Sequence, residues 1–184
     1  QALTATELGN GYVDIPMTLT LQDANSSLSS VPVKWMDWTG STATSAFGAI
    51  TSSGGVVGAT LTSTSTLAGV QLVGGTNYWN PAGPYLSDGV LAPDSADIVR
   101  FNTLGTRTLT FDTEVRNLYF GFVSMNGNGY RFDRDFDILS QASGGTPGYW
   151  GAGTAAKREI VIDGVTYYEL YAVSGEPHGV VLFK

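Results

Sequence analysis

Apolar and polar residues alternate with a period of two near the start of the chain. Across residues 12–22, Val13, Ile15, Met17, Leu19 and Leu21 share one parity, while Asp14, Pro16, Thr18, Thr20 and Gln22 share the other. Side chains alternate across a strand, so this pattern predicts an extended segment with one face buried and one wet. Pro16 falls on the wet parity and cannot donate to a ladder, which predicts an edge strand.

The rest of the chain continues as short apolar runs separated by Gly, Asn, Asp and Pro, the punctuation of an all-β protein. Residues 31–38 form a second apolar stretch with Trp35 and Trp38, assigned to the core or its margin. A strand is predicted at residues 55–62, within a Gly/Ser/Thr-rich zone. Residues 74–95, with Pro81, Pro84 and Pro93, predict a long loop, a kind of segment often tied to function. Strands are expected at 98–101, 107–111, 130–132, 136–139 and 179–183. Residues 118–123, almost continuously apolar, predict a central strand buried on both faces. Residues 159–162 and 165–170 flank Asp163-Gly164, a pair suited to a type I′ hairpin turn. With no internal repeat and no linker, the expected architecture is one domain over residues 1–184, an antiparallel β-sandwich of jelly-roll character.

A chain of 184 residues can bury a core without covalent staples, and it has no cysteine. That removes disulfides, thiolate nucleophiles and cysteine-bound metals. A net charge of −7 opposes binding to nucleic acid or to anionic membranes. No apolar run reaches the ~20 residues of a membrane span. The start at Gln1, the low charge and the many Gly, Ser and Thr residues point to a mature secreted bacterial product.

Several segments, taken in order, carry a resemblance: Asp94-Ser95-Ala96-Asp97-Ile98-Val99, Tyr130-Arg131-Phe132-Asp133, Phe136-Asp137-Ile138-Leu139-Ser140, Gly148-Tyr149-Trp150-Gly151-Ala152-Gly153 and Gly175-Glu176-Pro177-His178-Gly179-Val180-Val181-Leu182-Phe183. Over residues 35–184 the chain resembles secreted bacterial β-sandwich domains of PEP-CTERM-type surface proteins. The resemblance implies a non-catalytic surface or extracellular-matrix role. Two departures stand out: Pro177 replaces an expected glycine, and the chain ends at Lys184 without the family's later strands and sorting segment. An early spare strand combined with missing late ones suggests strand donation between subunits, with Val13, Ile15, Met17, Leu19 and Leu21 as the assembly face. The alternative is that this strand completes its own sheet.

Candidate chemistry is sparse. Asp133, Asp135 and Asp137, near Asn126 and Asn128, offer oxygen ligands of the kind Ca²⁺ takes, though without an EF-hand spacing. On a strand the three carboxylates would share one face, with Arg131 or Arg134 as the alternative cation. His178, the single histidine, is expected to bond locally in a turn, and no nucleophile elbow accompanies it. Glu159, Glu169, Glu176 and Asp133 are the carboxylates from which a glycan hydrolase would draw its pair; Glu169, set among tyrosines, reads as an exposed strand position. Tyr78, Trp79, Tyr85, Tyr149 and Trp150 lie in Gly/Pro/Asn loops. Such rings either stack on sugars, anchor protein partners or cap the core. The expected partners are therefore other copies of the chain, extracellular polysaccharide, or both.

Overall fold

The fold is seen in a computed structural model that describes residues 2–8, 12–17 and 33–184, the first two segments by backbone and register. It is all-β. The strands are β1 (Ala2–Leu8), β2 (Tyr12–Met17), β3 (Asp37–Ser41), β4 (Ser45–Ser52), β5 (Gly55–Ser63), β6 (Gly69–Gln71), β7 (Ile98–Arg100), β8 (Arg107–Phe111), β9 (Tyr119–Val123), β10 (Gly129–Phe132), β11 (Phe136–Gln141), β12 (Gly153–Ile162), β13 (Val165–Gly175) and β14 (His178–Phe183). A nine-stranded sheet has the order β12-β13-β10-β2-β1-β8-β5-β4-β3, a three-stranded sheet the order β11-β14-β9, and β6 pairs with β7 as a ribbon.

Turn chemistry closes the hairpins. Asp163 and Gly164 take φ of 51° and 79°, the left-handed pair that joins β12 to β13 as the sequence predicts. Between β4 and β5, Ser52 Oγ accepts the Gly54 N–H at 3.2 Å, so the turn supplies its own acceptor.

The main core lies between the two large sheets. Phe132 from β10, Leu170 from β13 and Ala155 from β12 meet Phe122, Phe136, Val181 and Phe183 from the smaller sheet. The Phe132 ring packs edge-on against Phe183 at 4.9 Å and Phe136 at 5.4 Å. Each such ring, fully buried, contributes about 1.5–3 kcal/mol relative to exposure. A second cluster under β4 and β5 combines Ala46, Leu61 and Leu67 with Trp38, Val70 and Val99.

The small sheet is covered on both sides. Val181 and Phe183 face the sandwich core, whereas Val180, one residue out of phase, packs with Trp79, Tyr85 and Val90 of the 74–95 segment. That segment is non-strand, as predicted, apart from a 3-10 turn at Gly83–Tyr85. It is the outer layer over β14 and β9.

This arrangement corrects the expected place of residues 118–123. β9 is covered on both faces, with Phe122 buried and its neighbours half-buried, yet it is an edge strand, and β14 is central. Phe120 and Phe122 serve the sandwich core while Tyr119 and Val123 meet the loop layer, so a covered edge strand reads as apolar as a central one. A Cβ on Gly121 would lie 3.0 Å from the Trp79 ring, so the loop rests directly on the strand.

Candidate functional site

The β1–β2 hairpin occupies an unusual place. β1 and β2 pair antiparallel, from Leu3↔Met17 to Leu8↔Tyr12, and Gly9-Asn10-Gly11 joins them. β1 pairs with β8, while β2 pairs in parallel with β10. β8 and β10 are not neighbours, so among the described residues the hairpin alone joins β12-β13-β10 to β8-β5-β4-β3. Two strands fill that opening, whose edges therefore stand about 14 Å apart.

Two expectations change here. β2 is flanked on both sides and is not an edge strand; Pro16 lies one residue beyond the last pair with β10, Phe132↔Ile15, where no ladder bond is required of it. The sheet also contains one parallel pair and is not wholly antiparallel. The extended reading holds for residues 12–17, whereas Leu19 and Leu21 lie outside the described residues. Val13 and Ile15 stand in register with Tyr130 and Phe132, residues of the core face. Met17 stands opposite Leu3, which pairs with Leu109. Among the described residues, a cavity of about 1180 Å³ between the sheets is lined from both flanking strands, by Leu109 and Phe111 of β8 and Tyr130 of β10.

The opposite face of β10 and β13 carries charge. Arg131 donates to Glu169 Oε1 through Nε at 3.0 Å and Nη2 at 2.7 Å, and Arg158 Nε donates to Glu169 Oε2 at 2.5 Å. Arg131 is 2% and Glu169 1% exposed. The expectation that Glu169 sits on an open face thus fails. Tyr167 lies 6.0 Å from the Arg131 guanidinium and Tyr171 lies 4.9 Å from that of Arg158, so the alternating tyrosines roof the ions.

The three aspartates do not act as one set. Asp135 and Asp137 converge on lysines: Lys157 Nζ is 2.6 Å from Asp135, and Lys184 Nζ is 3.2 Å from Asp135 and 2.8 Å from Asp137. Burial alone would raise the Asp135 pKa, but hydrogen bonds from Lys157 and Lys184 outweigh it and hold the carboxyl below its usual range. Asp133 and Asp135 precede β11, so only Asp137 is on a strand and the shared strand face does not exist. Burial pushes Asp133 up to about 7, against the partial opposition of Arg134, and its Oδ1 has no partner among the described residues. Among those residues no group of three or more His, Asp or Glu side chains is placed to hold a metal ion.

The five predicted aromatic residues gather around β14 but divide by depth. Trp79 and Tyr85 are buried core. Trp79 Nε1 donates to the Asp97 carbonyl at 3.0 Å, and its ring stacks on Trp35 at 6.4 Å. Tyr149 and Trp150 are 46% and 49% exposed. Tyr78 stacks on Trp150 at 4.8 Å, and Tyr149 sets its ring across both. Beneath them, His178 is fully buried, with Trp150 stacked at 6.3 Å and Tyr85 Oη 3.0 Å from Nδ1. Its hydrogen bond is therefore long-range and not local to the turn. Desolvation lowers the His178 pKa and favours the neutral ring, with Glu176 pulling the other way. Desolvation likewise raises the Tyr85 pKa.

The candidate hydrolytic carboxylates are dispersed: Glu159 is exposed on β12, Glu169 is ion-paired on β13, Asp133 precedes β11, and Glu176 binds Ser124 between β13 and β14. Among the described residues no helix is long and apolar enough to cross a membrane. No family model, curated protein or solved structure matches the chain.

Proposed function

We propose that the chain is a non-catalytic, secreted surface or extracellular-matrix protein that assembles by placing its β1–β2 hairpin in a neighbouring copy. One observation supports this reading: the nine-stranded sheet depends on the β1–β2 hairpin to join two halves that, among the described residues, share no other ladder. Without the hairpin, β8 and β10 each present a row of unpaired N–H and C=O groups, the template on which strand addition works. β2 ends at Met17 and β3 begins at Asp37, so residues 18–36 connect them, a length that reaches at most about 70 Å when extended. An identical seat in an adjacent subunit offers the hairpin the same partners as its own.

Size-exclusion chromatography and electron microscopy test this. Oligomers or fibres are expected from the full chain and none after deletion of residues 1–22, with a synthetic peptide of residues 1–22 competing for assembly by the full chain. A full chain that stays monomeric at every concentration overturns the proposal.

A second reading rests on the half-exposed Tyr149 and Trp150 beside Tyr78. Rings presented at a surface suit the apolar faces of sugars, which makes extracellular polysaccharide the ligand class for this edge. Trp79 and Tyr85 support the platform from within. Trp150→Ala is expected to abolish retention on immobilised polysaccharide; unchanged retention removes this edge as the glycan site.

A further inference from the structure

The register of the hairpin in its seat requires a cause beyond hydrophobic alternation. A one-residue slip of β2 against β10 would send Val13 and Ile15 to the wrong face, so alternation rejects it. A two-residue slip keeps the same parity inward and alternation cannot detect it. The β2–β10 ladder is short, running only from Gly129↔Tyr12 to Phe132↔Ile15.

Charge supplies the missing discrimination. Asp14, the one charged residue of β2, stands in register with Arg131. Arg131 stands opposite Glu169, and Glu169 opposite Arg158. Across four neighbouring strands the row reads Asp14, Arg131, Glu169, Arg158, alternating in sign. A slip by two would place Tyr12 or Pro16 beside Arg131. Arg131 and Glu169 are almost fully buried on the face away from the core, where water would ordinarily solvate them. Burying such ions is costly, and fixing one register among several is the best-attested use of them.

We infer that this charge row is a register key, and that the seat between β8 and β10 accepts a β2 strand, from its own chain or a second copy, only with an acidic residue aligned on Arg131. The inference rests on β2 seated against β10; in its intermolecular form it also rests on the donation proposed above.

The absence of cysteine makes a direct test possible. In the full chain, Val13→Cys with Tyr130→Cys traps the observed register as a disulfide, while Ile15→Cys with Tyr130→Cys traps the two-residue slip. With Asp14 in place the first pair is expected to cross-link in large excess over the second. Adding Asp14→Arg should erode that preference by about 30-fold or more, the scale of effect seen when a desolvated charge loses its partner. Asp14→Asn should give a smaller change in the same direction, and it serves if the reversed charge prevents folding. Asp88→Arg, the same charge change in an exposed loop, should leave the preference intact. Equal preference in Asp14 and Asp14→Asn chains, or no cross-link of the first pair with Asp14 present, overturns the inference. On a non-reducing gel, cross-linked monomer alone would refute donation while leaving the register key standing; a ladder supports both.

Discussion

Lys157 and Arg158 are consecutive on β12 and lead to two ionic clusters of opposite character. Lys157 reaches Asp135, just ahead of β11, and Asp137, within it, with side chains at Asp135, Asp137 and Lys184 between 31% and 54% exposed. Arg158, pointing the other way, reaches Glu169, which shares its other oxygen with the buried Arg131. The charges are of the same kind; what differs is water. In the first cluster any ion that loses its partner is solvated again. In the second, Arg131 and Glu169 are shielded from water, so removing one leaves a buried charge that solvent cannot readily compensate. Breaking a charge pair near the surface is therefore expected to change stability little, whereas breaking the pair beneath the tyrosines is expected to change it far more.

The comparison breaks most visibly at Glu169. Glu169→Ala should destabilise the chain by about 3–5 kcal/mol in urea unfolding, because it removes the carboxylate oxygen that accepts two hydrogen bonds from the buried Arg131. A change below about 1 kcal/mol would place both clusters in the same class.

Gly148→Ala should rank next, independent of charge. A Cβ there would lie 2.4 Å from the His178 ring, and His178 cannot retreat because Trp150 stacks on it and Tyr85 bonds it. Overpacking of this kind costs about 1–3 kcal/mol. Thermal melting checks it, and a shift in tryptophan fluorescence should accompany the loss.

Asp133 sharpens the comparison through pH. Its folded pKa of about 7 lies above that of the unfolded chain, so the folded state binds the extra proton between roughly pH 4 and 7. Stability from this group is greatest at the acid end and declines as pH rises toward 7. Asp133→Asn should flatten that slope and raise the Tm at pH 7. Asp135 has the opposite sign: its folded pKa is depressed, so its contribution is present above the ordinary carboxylate range and lost as pH falls below it. Lys157→Met should remove part of that acid-side loss and otherwise change stability by no more than about 1 kcal/mol.

Much of the strand content is legible in the chain because it depends on local chemistry. Arg107–Phe111 falls where its alternation puts it, and Asp163-Gly164 closes its hairpin because both positions require positive φ. Placement in the sheet is another matter. The weak alternation of β1 does not predict a strand, although Gly9-Asn10-Gly11 ahead of Tyr12 is a hairpin signal that points to one. Pro16 read as an edge marker because sequence shows a missing donor but not where the neighbouring ladder stops. For the site, composition found the aromatic residues and their loops. It could not separate Trp79 and Tyr85 from Tyr149 and Trp150, since depth depends on which sheet face the 74–95 segment covers. Glu169 misled for a related reason: tyrosines on both sides signal an outer face, and only the folded geometry shows their rings lying over the ions.

Donation of the β1–β2 hairpin has a consequence for shape, because the ribbon given and the seat between β8 and β10 that receives it are different surfaces. Subunits joined through this seat would all point the same way, giving a filament with unlike tips: one offering an empty slot, the other an unclaimed ribbon. Growth at either tip could then be halted by a different reagent, a short peptide at one and a blocked acceptor at the other. Length would become a matter of stoichiometry, with no further change to the subunit.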